Sequence, residues 1–168
     1  GSACFIIEPR LSLIHAIDFG MPDTMPENSN NTPWVVLKFG GTSVSQKHRW
    51  DTIGQLIQER AAQEQVRVLI VVSALSGVTN QLQSLIDRAD DEAFLAETSR
   101  HLIERHLQFA RELDVPEQVL SERLAQLQAL LADERRSNRS FDWQAELLSQ
   151  GELLSSTLGV AYLQSRQL

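Results

Sequence analysis

The chain has 168 residues and a net charge of −7, so it is long enough for one domain with an ordinary core. The acidic surplus excludes a general nucleic-acid-binding role, which normally needs a basic face. Arg135, Arg136 and Arg139 form a basic cluster, but Asp133 and Glu134 beside them favour a solvated helix end. We therefore expect no nucleic-acid partner.

Cysteine usage and hydropathy restrict the class of protein further. Cys4 is the single cysteine, so neither an intrachain disulfide nor a cysteine-rich zinc site can form, and a reducing, cytoplasmic location is expected. No apolar run approaches the roughly 20 residues of a membrane span. The interrupted apolar stretch 5–19 lacks the basic start and unbroken apolar middle of a signal peptide. We expect the four histidines to be solvated or packed, because they form no cluster.

The composition divides the chain at about residue 33. Residues 20–33 hold three of the five prolines with several Asn, Ser and Thr, which is typical of a flexible linker. We assign residues 1–33 to an N-terminal extension or linker and residues 34–168 to the folded unit. A start at Gly1 without methionine and an end inside a helical pattern indicate a fragment.

Two strand–loop–helix units follow the linker. Residues 34–39 predict a buried strand, and the β-branched run 66–72 is typical of a central parallel strand covered on both faces. Apolar residues recur at helical spacing after each strand; they are Trp50, Ile53, Ile57 and Ala61, then Leu82, Leu85, Ile86 and Ala89. This order predicts an α/β fold with a parallel-rich sheet sandwiched by helices. Ligands of such sheets bind at the C-terminal ends of the strands.

The remaining residues predict a helical insert and a last helix. Leucine-rich faces indicate packing helices rather than a zipper, which needs three or four heptads. The apolar positions are Leu95, Leu102, Leu107 and Leu113, then Leu120, Leu124, Leu127 and Leu131, then Trp143, Leu147, Leu154, Leu158 and Tyr162. Gly151 and Glu152 interrupt the pattern of the last helix.

The junction after the first strand gives the strongest functional signal. Its residues are Lys38, Phe39, Gly40, Gly41, Thr42 and Ser43. Backbone N–H groups can converge on a phosphate there, glycine permits close approach, and a helix N-terminus favours negative charge. The Walker A order is different, since its lysine follows the glycines. A solvated lysine beside a tight turn is the alternative, but an ammonium enclosed between Leu37 and Phe39 would need an anionic partner.

Polar residues at two further positions are candidates for a substrate site. The loop predicted at residues 73–80 offers neutral hydrogen-bonding groups, among them Ser73 and Thr79, and would lie beside the first loop if the two strands are neighbours. Glu152 could hold a substrate ammonium, because Gly151 exposes backbone beside it. The plainer alternatives are an ordinary polar loop and a helix-surface glutamate.

Together, residues 38–44, 72–80 and 151–156 resemble the aspartate kinases of the amino acid kinase superfamily. They read Lys-Phe-Gly-Gly-Thr-Ser-Val, Val-Ser-Ala-Leu-Ser-Gly-Val-Thr-Asn and Gly-Glu-Leu-Leu-Ser-Ser. The resemblance runs from about Val35 to Leu168. The helix start at Arg49 and the long helical insert are similar to the kinase half of bifunctional aspartate kinase/diaminopimelate decarboxylases.

This resemblance implies transfer of the ATP γ-phosphoryl group to the side-chain carboxylate of L-aspartate, at the entry to lysine, threonine and methionine biosynthesis. It implies that Lys38 neutralises the transferring phosphate and that Thr79 and Glu152 hold aspartate, Glu152 through the amino group. ATP phosphates would be bound by Lys38, Phe39, Gly40, Gly41, Thr42, Ser43 and Ser73. Mg²⁺ would be held mainly through the nucleotide, because protein metal ligands are not evident. A homo-oligomer is expected at full length.

One departure from the family limits this expectation. The chain lacks the family's Gly-Arg-Gly-Gly-Ser-Asp-like loop, its adenine-side segment and its regulatory ACT domains. We therefore expect little or no kinase activity from the chain alone. The alternatives are a non-catalytic module that binds phosphate or packs on a partner, and a sister kinase acting on another carboxylate or on carbamate.

Overall fold

The computed structural model describes residues 3–8, 11–14, 33–64 and 66–168, which form a four-stranded sheet with helices packed against it. The strands are β1 (Ala3–Glu8), β2 (Leu11–Ile14), β3 (Trp34–Phe39) and β4 (Arg67–Val72). The helices are α1 (Gly41–Val44), α2 (Lys47–Glu64), α3 (Val78–Asp87), α4 (Glu92–Glu112), α5 (Ser121–Leu131) and α6 (Phe141–Ser165), with short 3₁₀ segments at Glu117–Leu120 and Glu134–Arg136. Apart from Pro33, the predicted linker 20–33 lies outside the described residues.

The sheet has the order β2-β1-β4-β3. β3 and β4 are parallel and in register from Trp34 opposite Arg67 to Phe39 opposite Val72. This confirms the two predicted strands as parallel neighbours, so the loops that follow them leave the sheet side by side. β1 pairs antiparallel with the other edge of β4, and β2 pairs with β1.

The two parallel strands differ in how deeply they are buried. On β4, Val68, Ile70 and Val72 are fully buried and alternate with half-buried residues. On β3, Trp34 and Val36 are 47% and 59% exposed. The prediction that residues 34–39 form a buried strand is therefore wrong for the described residues. β3 lies at the edge of the described sheet, and its exposed residues alternate with half-buried ones, so one of its faces is uncovered among the described residues.

The helices bury the apolar faces that the sequence predicts. Ile53 and Ile57 of α2, Leu82 and Leu85 of α3, and Leu147, Leu154 and Leu158 of α6 all enter one core. α3 begins at Val78, so the predicted loop 73–80 is shorter, and Thr79 belongs to a helix. α6 runs unbroken through Gly151 and Glu152, although these two residues interrupt its apolar pattern. Among the described residues, no helix combines the length and apolarity needed to cross a bilayer.

A glycine on α6 makes room for the largest side chain of α2. Trp50 is fully buried, and its indole N–H donates to the carbonyl oxygen of Val44 at 2.9 Å. A Cβ at Gly159 would lie 2.1 Å from Cη2 of this indole. The close contact fixes α6 against α2, and therefore fixes where the middle of α6 crosses the sheet.

The predicted basic cluster is paired with carboxylates. Arg135 bonds Asp133 and Glu146, Arg136 bonds Glu92, and Arg139 bonds Asp90. Each guanidinium is thereby neutralised locally, which supports the interpretation as a solvated helix end.

Candidate active site

The loops that follow β3 and β4 are joined by hydrogen bonds. The N–H of Ser73 donates to the carbonyl oxygen of Phe39 at 3.1 Å. Ser45 Oγ donates to the carbonyl oxygen of Gly41 at 2.5 Å and accepts from the N–H of Ser76 at 2.7 Å. This confirms that the second loop lies beside the first. Ser45 could not be predicted as part of the site, because a serine just beyond a glycine-rich motif has no distinguishing pattern.

Packing requires glycine at position 41. A Cβ there would lie 2.7 Å from the carbonyl oxygen of Ala74. Real Cβ atoms essentially never come this close to another heavy atom. At Gly40, by contrast, a Cβ would meet nothing within 4 Å. The Gly-Gly pair therefore has two different roles: Gly41 permits contact between the loops, and Gly40 leaves space open beside the backbone.

The first turn of α1 leaves backbone donors free. The carbonyl oxygen of Gly40 accepts from the N–H groups of Ser43 and Val44 at 2.9 and 3.2 Å. Within the part of the chain that the structure describes, the N–H groups of Gly41 and Thr42 have no hydrogen-bond partner, as expected for the first turn of a helix. Two unpaired donors next to a glycine suit a phosphate oxygen.

Lys38 precedes these donors at the end of β3, opposite Val71 of β4. Its side chain is exposed, and no carboxylate among the described residues forms an ion pair with it. The enclosure that we predicted from its apolar neighbours is therefore wrong here, because Lys38 lies on the uncovered face of β3 and its neighbours Leu37 and Phe39 point to the other face. Phe39 is half-buried and packs against the core, which orients the strand end.

Helix α6 reaches the same place through Gly151. A Cβ on Gly151 would lie 2.8 Å from Cβ of Ala74 and 3.2 Å from side-chain atoms of Val78 and Leu82. Ala74 is thus held between Gly41 on one side and Gly151 on the other. The next residue on α6, Glu152, is thereby brought to the end of the sheet where the loops meet.

Glu152 is half-buried, and this burial raises the pKa of its carboxyl group. No cationic side chain among the described residues forms an ion pair with it. Thr79 lies in the first turn of α3, is exposed, and directly follows Val78, which packs at Gly151. A half-buried carboxylate and an exposed hydroxyl therefore come directly after the two residues, Gly151 and Val78, that contact each other.

The predicted site residues lie at the ends of β3 and β4 or on α3 and α6, the two helices that meet where Gly151 contacts Val78. Lys38, Phe39, Gly40, Gly41, Thr42 and Ser43 lie at the end of β3, Ser73 follows β4, and Thr79 and Glu152 come from α3 and α6. Across the described part of the chain, no group of three or more His, Cys, Asp or Glu side chains is placed to hold a metal ion. The arrangement offers donors and one cation for an anion, with a carboxylate nearby for an ammonium.

Comparison with known proteins places the chain in a family. The model of the amino acid kinase family matches residues 33–168. Aspartokinase 3, chloroplastic, of Arabidopsis thaliana is 32% identical over 136 residues, or 76% of this chain. An aspartokinase of Rickettsia felis is 45% identical over 51 residues, which is 30% of this chain and 12% of that protein.

A solved structure supports the same conclusion. E. coli aspartokinase III in complex with aspartate and ADP superposes with a TM-score of 0.64 and 27% identity over 81% of this chain. The chain spans 23% of the length of the Arabidopsis relative and 30% of the E. coli chain. The family match, the relatives and the shared fold agree, and the chain belongs to the amino acid kinase family.

Proposed function

We propose that this chain supplies the phosphate-binding and aspartate-binding part of an aspartate kinase. The reaction is transfer of the ATP γ-phosphoryl group to the side-chain carboxylate of L-aspartate, which gives 4-phospho-L-aspartate. The observation that carries the proposal is the pair of close contacts at Ala74. Gly41, in the glycine-rich loop after β3, contacts Ala74, and so does Gly151, which directly precedes Glu152. The aspartokinases among the relatives, and the aspartate and ADP of the E. coli complex, support the choice of substrates.

The phosphate side uses one cation and backbone donors. The unpaired N–H groups of Gly41 and Thr42 bind phosphate oxygens, and the exposed Lys38 ammonium neutralises charge on the group in transfer. Phe39, Gly40, Ser43 and Ser73 complete the wall of this side. Because these groups are fixed by the bonds between the two loops, they align the phosphate without a large rearrangement.

The acceptor side needs no general base. The side-chain carboxylate of aspartate is already ionised at neutral pH, so the site has only to orient it. Glu152 holds the substrate ammonium, and the positive charge of that ammonium lowers the pKa of Glu152 again, which offsets the effect of burial. Thr79 offers a hydroxyl to the same substrate.

The residues present fit a nucleotide phosphate, since an exposed lysine and two unpaired amides lie together. Mg²⁺ bound with the nucleotide would supply further charge neutralisation. The chain covers less than a third of the E. coli aspartokinase III chain, so we infer that complete activity needs residues beyond 1–168. A role in lysine, threonine and methionine biosynthesis, and a homo-oligomeric state, are part of the proposal for the whole protein.

A chimera tests the proposal. Residues 33–168 replace the matching part of E. coli aspartokinase III, and ATP-dependent aspartyl phosphate is trapped as the hydroxamate. We expect a folded chimera to form product and Lys38→Met to abolish it. Lys47→Met, which changes the chain's other lysine, is the matched control and should retain activity.

The acceptor role is tested with a second pair of variants. Losing a charged hydrogen bond costs about 1.5–3 kcal/mol, so Glu152→Gln should raise the KM for aspartate roughly 10- to 100-fold, whereas Glu146→Gln on the same helix should not. A folded chimera that forms no hydroxamate would contradict the proposal and favour a non-catalytic module. Robust product formation by residues 1–168 alone would refute our inference that further residues are needed.

A further inference from the structure

A second cleft lies between the loop after β4 and helix α4. Its volume is about 270 Å³, and it is lined by Ser45, Leu75, Arg105, Gln108, Phe109 and Glu112. Neither Lys38, Thr79 nor Glu152 lines it, so it is separate from the candidate active site. Ser45 is the link between the two, because its hydroxyl joins the loops of that site.

The lining residues of α4 occupy one face of the helix. Arg105, Gln108 and Glu112 are three and seven residues apart, which brings them to the same side of an α-helix. Leu75 and Phe109 are 3% and 5% exposed and form an apolar floor. The cleft therefore combines an apolar base with a charged group at each end.

Arg105 is the cation of the cleft, and it is half-buried. Its guanidinium lies 3.8 Å from the position that a Cβ on Gly77 would take. Among the described residues Arg105 forms no ion pair or hydrogen bond, whereas Arg111 on the same helix bonds Glu104 and Glu117, both at 2.5 Å. A partly enclosed guanidinium without a carboxylate is well placed to bind an anionic group of a ligand.

Glu112 provides the opposite charge. Its Oε1 accepts from Nε2 of Gln108 at 3.1 Å, which fixes the carboxylate and leaves other lone pairs free. Arg105 and Glu112 lie about 10 Å apart along the helix axis, and both side chains extend into the same cleft. A simple anion bound to Arg105 would also be repelled by Glu112, so a ligand that carries both charges fits better.

We propose that this cleft binds a free α-amino acid as its zwitterion. The carboxylate pairs with Arg105, the ammonium with Glu112, and an apolar side chain lies on Leu75 and Phe109. Hydrogen bonds of about 2.8 Å at each end of the zwitterion let one amino acid bridge charged groups separated by roughly 8 Å. The two long side chains start from backbone positions about 10 Å apart, so they need to incline towards each other by only about 2 Å to reach that separation. This inference does not depend on the proposed kinase activity.

Nuclear magnetic resonance of the ¹⁵N-labelled chain 1–168 tests the proposal. L-Valine, L-leucine and L-methionine are titrated in turn, and the amide signals of Ser45, Ser76 and Gly77 are followed. We expect at least one amino acid to give saturable shifts. 4-Methylpentanoate, which is leucine without its amino group, and 3-methylbutylamine, which is leucine without its carboxylate, should bind at least about 10-fold more weakly than leucine. If 4-methylpentanoate binds as tightly as leucine, the site is a simple anion site and the proposal is wrong.

Variants test whether binding depends on the charges of Arg105 and Glu112. Arg105→Met and Glu112→Gln should each weaken amino acid binding at least about 10-fold, while Arg100→Met and Glu97→Gln at exposed positions of α4 should leave it unchanged. Circular dichroism checks that each variant keeps its helix content, and Glu112→Gln preserves side-chain size. Absence of saturable shifts with all three amino acids, or shifts that survive both cleft variants, would overturn the proposal.

Discussion

Glu152 shows how a half-buried carboxylate, proposed above to bind a substrate ammonium, can reduce the stability of the fold. Its carboxylate is half-buried without a cationic partner among the described residues, and burial raises its pKa. Glu146, two turns earlier on α6, is in the opposite situation, because its hydrogen bond with Arg135 lowers its pKa. The two glutamates on one helix therefore differ in what ionisation does to stability.

This contrast predicts opposite effects of the same substitution. A raised pKa in the folded state means that the folded chain binds more protons than the unfolded chain, so ionised Glu152 reduces stability once the pH exceeds its folded pKa. Glu152→Gln should therefore increase the free energy of unfolding at pH 7 and have little effect near pH 3.5, below the usual glutamate range. Glu146→Gln should decrease it slightly at pH 7. Urea titrations at both pH values measure this, and a loss of stability in Glu152→Gln at pH 7 would contradict it.

His106 is a buried residue whose titration should be visible in stability. Its Nδ1–H donates to the carbonyl oxygen of Leu102 at 2.7 Å, and burial lowers the pKa of the imidazole to about 4. As the pH falls below about 6.5, the unfolded chain therefore binds a proton on this histidine. The folded chain stays unprotonated there until the pH approaches 4. The resulting stability is present above pH 6.5 and is lost as the pH falls towards 4.

We predict that this histidine makes the fold about 2 kcal/mol less stable at pH 5 than at pH 7. His106→Met removes the titrating group, so the difference between the two pH values should largely disappear. His101→Gln, at an exposed position of the same helix, should keep the wild-type difference. An unchanged pH dependence in His106→Met would show that other groups cause it.

The sequence pointed to some residues of the candidate site and not to others, for physical reasons. Lys38 and Glu152 stand out in the sequence because a charge inside an apolar segment is unusual. The exposure of Lys38 could not be foreseen, because it depends on whether another element covers that face of β3. Ser45 was missed because its role comes from one long-range hydrogen bond, which leaves no pattern in the sequence.

At the scale of elements, close contacts at glycine determine how α6 lies. In a helical pattern glycine usually indicates a weak point, because it lowers helix propensity. Here Gly151 and Gly159 are both buried, and each leaves space for a neighbouring element. The sequence predicted the helices and their apolar faces, but only the packed structure shows why α6 continues through glycine.

Gly159→Ala should therefore destabilise the chain although it improves helix propensity. The gain in propensity is about 1 kcal/mol, but the new methyl would overlap the Trp50 indole, and such overpacking costs roughly 1–3 kcal/mol or more. We expect a net loss of about 2 kcal/mol in urea unfolding. Trp50→Leu, which vacates the space, should be less harmful in the Gly159→Ala background than alone. Purely additive losses would show that this contact is not the cause.

At the scale of the whole molecule, the sheet presents one unprotected side. Trp34 and Val36 are exposed on β3, which has a single neighbour in the described sheet. Exposed apolar edge strands favour association between chains. The sequence predicts a buried strand here because residues 34–37 are apolar. Hydrophobicity alone does not show which other segment packs against the strand. The pairing of β1 with β4 was also not predicted, since residues 1–33 show no clear period.

The isolated chain should accordingly self-associate as its concentration rises, and Val36→Lys should reduce this. Phe141→Ser is the control, because Phe141 is 89% exposed but lies at the start of α6, away from the sheet edge. Static light scattering over a concentration series measures the average mass. If Phe141→Ser disperses the chain and Val36→Lys does not, β3 is not the associating surface.

The contact of Ala74 with Gly41 and Gly151 has a consequence for how this site can evolve. Gly41 and Gly151 have no room for a Cβ against Ala74, and a side chain larger than alanine at position 74 would meet Gly151, so none of the three can become larger alone. Damage at two of them should be less than additive, because the first change already separates the elements. In the proposed aspartate site, a new substrate preference would therefore arise at the polar positions around this contact, such as Thr79, while the contact itself stays unchanged.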